Sequence, residues 1–125
     1  MFFSREEVKL ARSMGRAGLF WRVRIGHWYV TRDGFVGLVK GQGEGEECQK
    51  LHTWLPCWSD SRAWLKEHGY GHPEFLEDEE ESVTIALRDS NENELRVSGR
   101  TDLACLYQAI LIALEAQDSD SKENI

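Results

Sequence analysis

No apolar run in this 125-residue chain approaches the roughly 20 residues that a membrane-spanning helix needs. Met1-Phe2-Phe3 leads at once into the charged segment Ser4-Arg5-Glu6-Glu7, not into the apolar core of a secretory signal, so no such signal is expected. Cysteine is scarce and odd in number. Cys48, Cys57 and Cys105 have no framework spacing, which argues against a disulfide scaffold and for a reducing, cytoplasmic setting. Catalytic signatures are missing as well: there is no G-x-S-x-G elbow and no helical H-E-x-x-H. The stretch Gly41-Gln42-Gly43-Glu44-Gly45 does not complete the dinucleotide fingerprint, and Glu44, Glu46 and Glu47 would repel a phosphate. With no acid, base or nucleophile in a recognisable pattern, the chain reads as a non-enzyme that needs no cofactor.

What the chain does have is charge divided along its length. Residues 1–40 hold eight Lys/Arg against three acids, net +5, and residues 41–125 hold seven against nineteen, net −12. Such a division makes a molecular dipole that orients encounters with charged partners, and it says nothing about fold. The apolar share of 41% and the charged share of 30% are those of a soluble globular domain, and the length suits one domain with a core of its own. Five tryptophans are many for that size.

A capping box, Ser4 with Glu7, opens a helix over about Arg5 to Ala17, and Gly18 closes it. Arg5, Lys9, Arg12 and Arg16, spaced four, three and four apart, form one stripe on its polar side. Strands are expected at Leu19–Arg24, His27–Arg32 and Phe35–Lys40, the last two joined at Asp33-Gly34 by a type I′ turn. Gly41–Lys50 reads as a flexible loop and Leu51–Leu55 as a short extended piece. A second helix is expected from Asp60 to His68, capped by Ser59, with Gly69 and Tyr70 forming a Schellman end. A strand around Glu74–Leu76 leads into the acidic run Glu77-Asp78-Glu79-Glu80-Glu81, which reads as a solvated loop. Strands Val83–Arg88 and Glu94–Ser98 then flank a turn. The last helix, capped at Thr101 or Asp102 and running to about Ala116, is apolar on nearly every side and should be the centre of the core. The expected fold is α+β: one domain over 1–116, a largely antiparallel sheet of two hairpin units packed with three helices, and a disordered acidic tail over 117–125.

Two constellations bear on chemistry. Cys48, His52 and Cys57, with His68 and His72 downstream, are ligand types that zinc favours. Their spacing lacks a tight Cys-x2–4-Cys knuckle, and glycines and a proline keep His68 and His72 off one helix face, so no metal is expected. Trp54, Trp58 and Trp64 fall in one segment with Tyr70. Buried tryptophans wedging the short helix onto the sheet account for most of that cluster, with Trp58 the one expected to be partly exposed and open to a protein partner.

The pattern His27-Trp28-Tyr29-Val30, then Trp54-Leu55-Pro56 entering a short helix that ends at Gly69-Tyr70, then a hairpin and Thr101-Asp102-Leu103-Ala104-Cys105 with Ala109-Ile110-Leu111 and Ala113-Leu114, resembles small phage and prophage proteins of the "phage ABA sandwich" type. The resemblance implies an α/β sandwich and a mobile-element accessory protein, a class that includes inhibitors of host defence nucleases. It carries over no functional residue.

Two function classes follow, beside the further alternative of a small enzyme of unknown class. The preferred reading is an acidic protein-binding module, monomer or homodimer, whose Glu44, Glu46, Glu47 and Glu77 to Glu81, with Trp58, occupy the basic surface of a nucleic-acid-binding target by imitating phosphates. The alternative is a nucleic-acid binder that uses Arg5, Lys9, Arg12 and Arg16 with Arg22 and Arg24. Net charge −7 opposes the alternative unless the basic patch is well segregated.

Overall fold

A computed structural model describes residues 2–41, 43, 45–79 and 82–123. The chain runs α1 (Arg5–Arg16), β1 (Trp28–Val30), β2 (Val36–Leu38), α2 (Gly45–Leu51), β3 (Thr53–Leu55), α3 (Trp58–Glu67), β4 (Glu74–Glu79), β5 (Ser82–Arg88), β6 (Glu94–Gly99) and α4 (Asp102–Glu123). The fold is α+β and its pairing antiparallel, as expected, but the strands divide into two sheets of three, ordered β2-β1-β3 and β4-β5-β6. The short extended piece and the strand before the second hairpin each add an edge to a hairpin.

Local chemistry explains the helix ends. Ser4 Oγ accepts from the Glu7 amide at 3.1 Å while the Ser4 amide donates to Glu7 Oε1 at 2.7 Å, the capping box read from the sequence. Glu7 does more than cap. It is buried, and its Oε2 accepts from Thr101 Oγ1 at 2.7 Å, while Thr101 Oγ1 caps α4 by accepting from the Ala104 amide at 3.0 Å. Glu6 Oε1 adds a bond from the Arg100 amide at 3.0 Å. Two helix N-termini are thereby stapled together through carboxylates, which also suit their positive dipole ends. The end of α3 is a Schellman motif: Tyr70 N–H reaches Leu65 C=O at 2.9 Å, Gly69 N–H reaches Lys66 C=O at 3.1 Å, and Gly69 sits at φ +91°. A side chain there is strained, so Gly69→Ala should cost about 1–2 kcal/mol, read as a lower denaturation midpoint with an unchanged m-value.

α4 is the centre of the molecule. Leu103, Leu106, Tyr107, Ile110 and Leu114 are buried, whereas Leu111 is half-buried. α1 and α3 pack along it, and β5 and β6 lie against it. Val30 and Leu55 from the first sheet and Ile85, Leu87 and Val97 from the second complete one core with Met14 and Leu65. The Tyr107 hydroxyl, fully buried, donates to the Pro56 carbonyl, and burial pushes the phenol far above its ordinary range. α4 does not end at about Ala116. It continues to Glu123, because no glycine or proline in Gln117–Glu123 interrupts it.

Several local expectations are corrected. Leu19–Arg24 forms no strand. It lies across the outer face of the first sheet, where Trp21, Val39 and Cys48 make a small second cluster with Val23, Tyr29 and Trp54. Within Gly41–Lys50 the helix α2 forms instead of a loop, since Cys48 buries against that cluster while Glu46 and Glu47 occupy the first turn and Lys50 the last. The β1–β2 hairpin is present, but its turn is not type I′. Positive φ falls on Gly34 alone (+94°), Gly34 N–H reaches Thr31 C=O at 3.0 Å and Thr31 N–H reaches Phe35 C=O at 2.8 Å, which is a three-residue loop with a glycine bulge. Cys57, not Ser59, caps α3. The acidic run is not all loop either: Glu77, Asp78 and Glu79 are the end of β4, and Glu80 and Glu81 lie outside the described residues, as does Glu44.

Candidate functional site

The polar stripe of α1 borders two concavities. Toward its start, Arg5, Lys9 and Arg12 line a hollow of about 590 Å³ with Phe2 and Val36. Toward its end, Arg12 and Arg16 line a cleft of about 380 Å³ with Phe20, His52 and Trp54. Phe20 and Trp54 also wall a third concavity of about 480 Å³, which holds Arg22, Arg24, His27 and Trp64. Successive concavities share walls, Arg12 between the first two and Phe20 with Trp54 between the last two. All six basic residues named from the sequence therefore line three adjoining concavities, hereafter the path. Period-two spacing along the extended segment delivers Phe20, Arg22 and Arg24 to the same side.

Ring stacking builds the walls. Trp21 and Trp54 stack at 6.3 Å and 3°, His27 lies 5.2 Å from Trp54, and Tyr29 stacks on His52 at 4.7 Å. On the wall of the third concavity Trp64 stacks on His68 at 3.6 Å. Arg12 is fixed by donating to the Thr31 carbonyl at 2.9 Å, and Arg16 donates to Ser13 Oγ at 3.2 Å. Arg22 and Arg24 are exposed, as is Phe20 at 72%. Two buried polar atoms of the cleft residues, Trp54 Nε1 and His52 Nδ1, have no hydrogen-bond partner.

The nearest approach to catalytic geometry is Cys57, Asp60 and His27. Cys57 Sγ donates to Asp60 Oδ2 at 3.2 Å, and His27 Nε2 lies 3.8 Å from the same oxygen. His27 Nδ1 accepts from Trp21 Nε1 at 3.1 Å and from the Arg24 amide at 3.3 Å, which places the ring proton on Nε2. Burial lowers the His27 pKa, Arg24 adds to the lowering and Asp60 opposes it. Burial also raises the Cys57 thiol. The raised thiol stays protonated at neutral pH, and His27 has Nδ1 occupied and Nε2 turned to a carboxylate.

The other thiols are equally quiet. Cys48 and Cys105 are buried, burial pushes Cys105 up to about 11, and no cysteine is in a disulfide. In the native state at neutral pH an aromatic disulfide reagent should label less than one thiol per chain within minutes, and all three after unfolding.

The remaining sequence candidates are dispersed. Cys48 sits on α2, His52 precedes β3, Cys57 and His68 cap opposite ends of α3, and His72 pairs with Arg62. Among the described residues no group of three or more His, Cys, Asp or Glu is placed to hold a metal ion. Trp58 is half-buried against the main core. Glu46 and Glu47 are exposed on α2 beside the first sheet, while Glu77, Asp78 and Glu79 end the edge strand of the second, so the two acidic groups belong to different sheets. Sequence reasoning passed over Phe20 and His27, weighed His52 only as a zinc ligand and read Trp54 only as a buried wedge. Among the described residues no helix is long and apolar enough to cross a membrane. No family model, characterised protein or solved structure matches the chain.

Proposed function

We propose that the protein is a non-enzymatic, cytoplasmic nucleic-acid-binding module whose working face is the basic, aromatic-walled path along α1 and the 18–27 segment. One observation carries this reading: Arg5, Lys9, Arg12, Arg16, Arg22 and Arg24 line concavities that share walls. The acids of β4 belong to the other sheet, which favours the reading for a chain of net −7, while Asp60 and Glu67 line the third concavity and Glu46 and Glu47 lie on α2 beside the first sheet. Titrating single-stranded and duplex oligonucleotides from about 50 to 200 mM salt tests it, since phosphate contacts give an affinity that falls steeply over that interval. Flat, salt-independent signals would overturn it.

A second reading keeps the acidic face. Phe75 and Leu76 are exposed on the edge strand immediately before Glu77, an apolar anchor beside acids that suits a protein partner with a basic surface. The edge position supplies a structural role for the same charges, as acids and the irregular register between Phe75 and Glu77 discourage strand addition. A mobile-element accessory protein, the class the phage resemblance implies, would have use for either face. A wild type that binds no oligonucleotide at low salt would turn preference to this one.

A further inference from the structure

Which nucleic acid the path takes follows from where its aromatic groups lie. The inference rests on the reading of the path as a nucleic-acid site. A duplex offers phosphates on a convex outer surface and hides its base faces in the stack, so it meets basic side chains and leaves rings in concavities untouched. A single strand has free ring faces and free base edges. Phe20 is 72% exposed and lines both the second and the third concavity, and burial against the core does not account for it. Arg16 lines one of the two concavities that Phe20 shares, and Arg22 and Arg24 line the other, so cations accompany the aromatic residue in both. Trp54, which lines the same two concavities, and His52, in the second concavity, each keep a buried ring nitrogen without a hydrogen-bond partner. Asp60 and Glu67 line the third concavity together with Arg22 and Arg24, which sets a limit to how far a phosphate backbone is welcome there.

From these observations we infer that the path binds single-stranded nucleic acid, with one base stacked on Phe20 and the flanking phosphates on Arg12, Arg16 and the Arg22/Arg24 pair. The second concavity, about 380 Å³, has the size of a small-ligand site and takes one nucleotide unit, not a groove's width of duplex.

The test uses the full chain with a fluorescein-labelled oligothymidylate and a hairpin duplex of equal phosphate number, read by anisotropy at low salt. Phe20→Ala should weaken the single strand by at least about fivefold, and Phe20→Trp should restore it, since stacking on an aromatic face is worth that much per base. The duplex should bind at least about tenfold more weakly than the single strand and be indifferent to Phe20→Ala. Phe20 is on the surface, so its substitution leaves the fold in place, and unchanged melting checks that. Equal affinity for duplex and single strand, with Phe20→Ala harmless to both, overturns the single-strand inference and leaves the nucleic-acid reading standing. Binding of neither probe overturns both.

Discussion

Leu106→Ala and Ile110→Ala each lower the free energy of unfolding by about 2–5 kcal/mol, with a fall in melting temperature on the order of 10 °C. Both side chains are about 1% exposed in the middle of α4, the helix against which α1, α3, β5 and β6 pack. Truncation there removes three side-chain carbons and leaves a void whose lining comes from different elements, so no single element can move to fill it. The spread between 2 and 5 depends on how far those elements relax. Ile112, on the same helix, is 40% exposed, and Ile112→Ala serves as the control with a loss under about 1 kcal/mol. Equal midpoints for all three variants in a urea titration would mean that α4 is not the core axis. The apolar breadth of this helix would then serve a partner.

The parts of the fold legible in the sequence are those decided within a few residues. Ser4 and Glu7 close their capping box across one turn, and Leu65, Gly69 and Tyr70 close the Schellman end across six residues, so each motif carries its own proof. The burial of α4 is equally plain, because a helix apolar on nearly every side has no other place in a small domain. What the sequence obscures is decided at a distance. Alternation at Leu19–Arg24 is that of a strand, yet the segment pairs with neither edge of the first sheet, and Trp21 and Val23 pack in the cluster on its outer face instead. Three glycines in Gly41–Gly45 conceal a helix that Cys48 anchors from the far side. Asp33-Gly34 signals the hairpin correctly, although the turn uses only one positive φ. The six basic residues of the path can be named because charge is visible in any sequence. Phe20 and Trp54 cannot, since neither borders a concavity until β3 brings Trp54 under the 18–27 segment.

Charge reversal on the path separates the two function classes most sharply. Arg16→Glu, Arg22→Glu and Arg24→Glu together convert three exposed cations into anions and leave Arg12 to its bond with Thr31. Each site is solvent-facing, so stability should change by about 0.5 kcal/mol or less per substitution. If the path holds a phosphate backbone, the triple variant loses oligonucleotide affinity by on the order of a hundredfold at low salt. The slope of log affinity against log salt should flatten by about 0.7 for each phosphate of the single strand that is no longer neutralised. Both readouts are needed. A general change in net charge lowers affinity through the long-range field while every phosphate keeps its cation, whereas the slope reports how many phosphates are neutralised. Glu77→Lys with Glu79→Lys supplies the opposite arm. It shifts net charge upward on the edge strand of the other sheet, so on the proposed reading oligonucleotide binding is kept or modestly strengthened and its salt slope is unchanged. Oligonucleotide affinity and salt slope that stay at the wild-type values in the Glu variant of the path would overturn the assignment of the path.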